Sequence, residues 1–150
     1  MSVAALVVSI IAYQDGHKAA ASAEKREASK VVHLVTFKNG GRAFDKLVVR
    51  NTGTTPVRDV HVVFYAEEGE RPPQPWRFDL VNACSEESEP LSGWISVSYL
   101  YFRDSTDQLW RRDKSGKVEK TEEDFFRENI APKANPWRKG KTAASLESCG

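Results

Sequence analysis

The run Trp110-Arg111-Arg112, followed by Lys114 and Lys117 and lying near Tyr99 and Tyr101, holds the side chains of this chain best suited to recognising a ligand. Rings stack on nucleobases while guanidinium and ammonium groups neutralise phosphates, so the pattern is that of a single-strand nucleic-acid platform. It also has a plainer use. Arginines on an edge strand keep it soluble and block edge pairing while the tryptophan packs inward. With 22 basic and 21 acidic side chains, a net charge of +1, the chain offers no field to an anionic polymer. Tyr99, Tyr101, Trp110, Arg111 and Arg112 are therefore read as a candidate interaction surface, and nucleic acid is not expected as the partner.

No other constellation points to catalysis. The three histidines, His17, His33 and His61, lack ligand-like spacing with cysteines or carboxylates. His33 and His61 fall mid-strand and could meet across a sheet as half of a metal site, although ordinary imidazoles explain them as well. There is no G-x-S-x-G turn to expose a serine nucleophile and no glycine loop to cradle a phosphate. Glu67, Glu68 and Glu70, like Glu86, Glu87 and Glu89, are placed in loops, where solvated charge is expected rather than a tuned acid and base pair. The reading is accordingly of no catalytic, cofactor or metal residue and of no enzyme. Cys84 and Cys149 make no disulfide framework. A bridge between them needs a docked tail, so two free thiols are expected, and with them a reducing compartment.

The elements that position these residues are strands. Lys46 to Tyr65 reads as strand, loop, strand: two β-branched and aromatic runs separated by Asn51, Gly53 and Pro56, which neither strand can absorb. Val31 to Phe37 precedes it, and the Asn39-Gly40 turn predicts a hairpin between that strand and Ala43 to Arg50. Within Val57 to Tyr65, alternation puts Val60, Val62 and Phe64 on the core face. His61, Val63 and Tyr65 face the other way, as in a central strand covered on both sides. Ala66 to Pro75 is an acidic, proline-rich loop. Trp76, Phe78 and Leu80 form the inner face of a fourth strand, and Cys84 to Gly93 is a polar connection. Trp94 to Arg103 is the longest strand, with Ile95, Val97, Tyr99 and Tyr101 on one face. Gln108 to Arg112 returns antiparallel, and a short edge strand is expected at Val118.

Six or seven short strands with turns every eight to twelve residues are the pattern of an antiparallel β-sandwich, with a barrel as the structural alternative. The organisation expected is a helical segment at 1–30, a β-sandwich at 31–118, and a short helix with a tail at 119–150. The tail helix starts at a capping-box pattern with Thr121 as cap and stops before Pro132. Its Phe126 and Ile130 are expected to seal one end of the sandwich, with no packed structure after about Lys139.

Val3 to Tyr13 is an apolar run broken only by Ser9, followed by an alanine-rich and charged stretch from His17 to Lys30 that favours helix. A membrane anchor, a helix docking on a protein and a signal peptide all remain open for it. As an anchor it is short against a hydrocarbon core about 30 Å thick. Lys18, Lys25, Arg26 and Lys30 all follow the run, and no basic residue precedes it, so an anchored domain is expected on the cytoplasmic side.

The segment R-N-T-G-T-T-P-V-R-D-V-H-V resembles the strand, Asn-x-Gly-x-x-Pro loop and strand unit of immunoglobulin-like modules in bacterial surface and membrane proteins. The whole layout, including the later F-R-D-S-T-D-Q-L-W-R-R-D-K-S-G hairpin, is similar to small uncharacterised actinobacterial membrane-anchored proteins across residues 3–118. That resemblance implies a single-pass helix and an immunoglobulin-like β-sandwich and lends no catalytic residues; the reading adopted is of a noncatalytic module that engages another protein. The alternative is a soluble carbohydrate-binding or enzymatic sandwich using exposed aromatics, Trp76, Trp94 or Trp110.

Overall fold

The computed structural model describes residues 3–38, 43–65, 75–90, 96–133, 142–147 and Cys149. The chain is mainly β. A long helix α1 (Val3–Ala28) leads into β1 (Val31–Lys38), β2 (Ala43–Asn51), β3 (Val57–Tyr65), β4 (Trp76–Val81), β5 (Ser85–Pro90), β6 (Ser96–Arg103), β7 (Leu109–Asp113) and β8 (Val118–Lys120). A short helix α2 (Glu123–Asn129), one 3-10 turn (Ala131–Lys133) and β9 (Thr142–Ser145) follow. The strands form two antiparallel sheets, one in the order β1-β2-β5-β9 and one in the order β4-β3-β6-β7-β8. The Asn39-Gly40 turn, the acidic loop at 66–74 and Trp94 lie outside the described residues.

Both sheets contribute to one core. Val31, Leu47 and Val49 of the four-stranded sheet pack with Val60, Val62, Phe64, Leu100, Phe102 and Trp110 of the five-stranded sheet. The core face predicted for β3 is thus the observed one, with Val60 and Val62 fully buried. The opposite face is covered too. Phe126 and Ile130 lie over it against Tyr101 and Leu109, with Val63 packed alongside, so they cap a sheet face rather than an end of the two-sheet body.

Two irregularities redirect side chains. The β3–β6 register shifts between Arg58 and His61, where Asp59 adopts a positive φ of 49°, a conformation that aspartate tolerates better than most residues. It shifts again between Val63 and Phe64, which pair with Tyr99 and Val97 and leave Ser98 as the extra residue. Val97 therefore returns to the core beside Leu100 while Tyr99 and Tyr101 point outward, which overturns the shared face expected for Val97 and the tyrosines. In β4, Val81 takes the buried place expected for Leu80, which is 48% exposed.

The Asn-x-Gly-x-x-Pro loop is held by its asparagine. Buried Asn51 donates from Nδ2 to the Thr55 carbonyl at 2.8 Å and to the Val81 carbonyl at 3.3 Å, and its Oδ1 accepts the Gly53 N–H at 2.9 Å. One side chain thereby closes its own loop and ties β2 to β4 in the other sheet. A Cβ on residue 53 would stand 3.0 Å from that Oδ1, which is why glycine fits there.

Four further expectations are corrected by the structure. Residues 85–90, read as a loop, are a strand between β2 and β9; Arg50 donates to Glu86 at 3.0 and 2.8 Å, giving this polar strand a charged cross-strand partner. The tail forms β9 after Lys139. Cys84 and Cys149 are bridged, with Cα atoms 5.6 Å apart, because β9 supplies the docked tail that a bridge requires. The α2 N-cap is Glu122, with no side-chain cap bond, rather than Thr121.

Helix α1 is continuous through Gln14, Asp15 and Gly16, where the apolar run gives way to polar sequence. Every residue from Ala12 to Glu27 is exposed; Ala28 enters the core, and Glu24 pairs with Lys120 at 2.7 Å. Among the described residues no helix is long and apolar enough to cross a membrane, so the single-pass expectation is not met by α1.

Candidate functional site

The outer face of the five-stranded sheet carries a connected set of paired polar side chains. Register places Arg77, His61, Tyr101, Arg111 and Glu119 in one row across all five strands. Arg111 is ion-paired with Glu119 and lies over the Tyr99 ring, 5.1 Å from its centroid. Burial raises the pKa of the Tyr101 phenol, and a hydrogen bond with Arg111 opposes that shift. Hydrogen bonds from Lys117 and then Arg111 hold Glu119 below the usual carboxylate range.

The five candidate residues do not form one surface. Tyr99, Tyr101 and Arg111 face outward, whereas strand alternation turns Trp110 and Arg112 inward. Trp110 is 1% exposed, and its Nε1–H donates to Asp104 Oδ2 at 2.7 Å. Arg112 donates to the carbonyls of Ser29 and Val31 at 2.9 and 3.2 Å, fastening the start of β1 to β7. Stacking and phosphate contact by all five residues together is thus excluded by geometry, and the plainer use of the tryptophan prevails. Trp76 is half-buried against Phe64, with ring centroids 5.1 Å apart.

The turns at both ends of β7 are held by aspartates that the sequence reading passed over. Asp104 Oδ1 accepts from the Thr106 N–H, the Thr106 hydroxyl and the Gln108 N–H, at 2.7 to 3.0 Å. Asp113 repeats this with Ser115 and Lys117. The signal was present as D-S-T-D-Q and D-K-S-G-K, each an Asp with Ser or Thr two residues on. Burial works to raise the Asp104 pKa, but the hydrogen bonds from Trp110 and Thr106 outweigh it and leave the carboxyl below its ordinary value.

Beside α2 the same face opens into a cleft of about 490 Å³ lined by Arg58, Asp59, Arg103, Asp107, Glu123 and Arg127. Arg103 is its hub. It bonds Glu123 at 2.5 Å, approaches Asp59 and Asp107 at 3.6 Å, and has its guanidinium 5.9 Å from the Phe126 ring centroid. Arg58 pairs with Asp107 at 2.9 Å, and Arg127 with Glu123 at 3.2 Å. All three arginines are thus matched to carboxylates of the chain, and the network binds α2 and the β6–β7 turn to the sheet. Below it, His61 is buried with Nδ1 2.8 Å from the Asp59 carbonyl and its ring edge-on to Phe126. Burial depresses its pKa despite the nearby Asp59.

His33 sits in β1 of the other sheet, so the two imidazoles do not meet. Among the described residues no cluster of three or more His, Cys, Asp or Glu could hold a metal ion. No family model, curated protein or solved structure matches the chain.

Proposed function

We propose that this chain is a non-catalytic, immunoglobulin-like β-sandwich module, held beside a membrane by residues 3–13 and engaging a protein partner. The observation that carries the reading is α1, exposed at every residue from Ala12 to Glu27 and, among the described side chains, tied to the sheets near its C-terminal end. A helix of 26 residues is about 39 Å long, enough to stand the body off a surface. The apolar run at its far end covers about 16 Å along the axis, roughly half a hydrocarbon core, which suits shallow insertion rather than crossing. Lys18, about 8 Å past the run along the helix axis, suits the negatively charged cytoplasmic leaflet.

Strand order supports the immunoglobulin-like reading. In such sandwiches A, B, E and D form one sheet and C, F and G the other, with C′ beside C in the variable type. Here β1, β2 and β5 stand where A, B and E would, and β4, β3, β6 and β7 where C′, C, F and G would. The likeness to small membrane-anchored modules of actinobacteria is part of the same proposal. Carbonate extraction tests it. The tagged full chain is expected in the membrane pellet and a variant lacking residues 3–13 in the supernatant; extraction of both alike contradicts the attachment.

A further inference from the structure

We propose that β9 is a removable strand, latched by the Cys84–Cys149 bridge, and that its release opens the edge of β5 to an extended segment of a partner protein carrying a basic residue. This gives the protein-binding part of the proposed function a surface and rests on that part alone. In the strand order above, β9 holds the place beside β5 that strand D takes in an immunoglobulin sheet. Its described pairing covers four residues, from Thr142 to Ser145. Its described side chains, Ala144 and Ser145, are exposed. Beyond the ladder it is fixed by the Leu146 N–H bond to the Cys84 carbonyl at 2.9 Å and by the bridge. A four-residue strand whose described side chains are exposed stays docked because the bridge keeps its local concentration high. A sheet edge freed of it is a template for strand addition.

The edge it covers is acidic and poorly matched. Arg50 neutralises Glu86 on the outer face, but Glu87 stands opposite Ala143, which offers no charge. Burial and then the charge of Glu89 push the Glu87 carboxyl above its ordinary range. A lysine or arginine at the Ala143 register would meet Glu87. The latch is chemically reachable, since Cys149 is exposed while Cys84 is half-buried. One thiolate of a dithiol attacks the Cys149 sulfur, the S–S bond breaks, and Cys84 leaves as a thiolate that takes up a proton. The second thiol then displaces Cys149, so the dithiol is oxidised to its own disulfide as the bridge is reduced to two thiols. In a reducing compartment such bridges are transient and redox-sensing.

The test uses two fluorescein-labelled peptides of residues 140–147, one with the chain's sequence and one with Ala143→Lys, titrated by anisotropy into the full-length protein. The oxidised protein is expected to bind neither. After treatment with dithiothreitol both bind, the lysine peptide about two- to five-fold more tightly at low salt. An Ala144→Pro variant, which loses a ladder N–H while keeping the bridge, is expected to bind without reductant. Equal binding by oxidised and reduced protein overturns the latch. So does an absence of binding to reduced protein whose tryptophan fluorescence remains native, or to the proline variant. Membrane attachment is read by carbonate extraction and does not move with any of these results.

Discussion

The two sheets of this protein are finished in different ways. The five-stranded sheet is covered on both faces, by the shared core on one side and by Phe126 and Ile130 on the other, and both turns of β7 are held by aspartates. The four-stranded sheet keeps Leu34 41% exposed on its outer side and ends in a polar strand followed by a short tail strand. One sheet owes its order to buried side chains. The outer half of the other owes it to backbone pairing, an Arg50–Glu86 ion pair and a disulfide. Burial of large side chains is the stronger of these terms, so the halves should respond unequally to the same disturbance.

The largest effect is expected at the joint core. Trp110→Ala removes a ring that is 1% exposed and leaves Asp104 without its indole donor, a loss of about 3–5 kcal/mol measurable by urea unfolding. A loss under about 1 kcal/mol would break the claim that this sheet is held by its core. Next comes Asn51→Ala, which strands the Gly53 N–H and the Thr55 and Val81 carbonyls and should cost about 1–3 kcal/mol. If that variant unfolds with unchanged midpoint, the asparagine is no tie between the sheets.

Acidification comes third, and it reports on both sheets at once. His33 is depressed by burial and then by Arg112, and His61 chiefly by burial, so each binds its proton less readily folded than unfolded. Below the unfolded value of about 6.5 the unfolded chain takes up protons that the folded chain refuses, and stability falls with pH until the folded values are reached. The melting temperature should therefore drop from pH 7 to pH 5.5. His33→Gln and His61→Gln should each flatten part of that slope, and a slope that survives both substitutions contradicts the assignment. The smallest effect is expected at β5. Glu87→Gln should change stability by no more than about 0.5 kcal/mol, because the strand is held through its backbone. A large loss there would show that side chains hold β5 after all.

The same contrast explains what could be read from the sequence. The β1–β2 hairpin, the core face of β3 and the helix near Phe126 were legible because apolar residues recur with the period of the element that buries them. β5 was not, since S-E-E-S-E-P carries no apolar alternation and its strand conformation comes from the neighbours on either side. β9 and the bridge were hidden for the same reason, as T-A-A-S shows no pattern and the Cys84–Cys149 pairing exists only once the tail is docked. At the candidate surface nearness in sequence grouped five residues, but alternation on β7 sends Trp110 and Arg112 to the face opposite Arg111. The bulge at Ser98 then fixed which way the tyrosines point, and no local sequence signal announced it.

Residue-resolved hydrogen exchange on the oxidised full-length protein tests the unequal finish of the sheets most directly. Amides of β3, β6 and β7 should exchange only through global unfolding, while those of β9 and the facing side of β5 should exchange through a local opening at much lower free energy. Protection in β9 equal to that in β6, or local exchange in the middle of β6, would contradict the account.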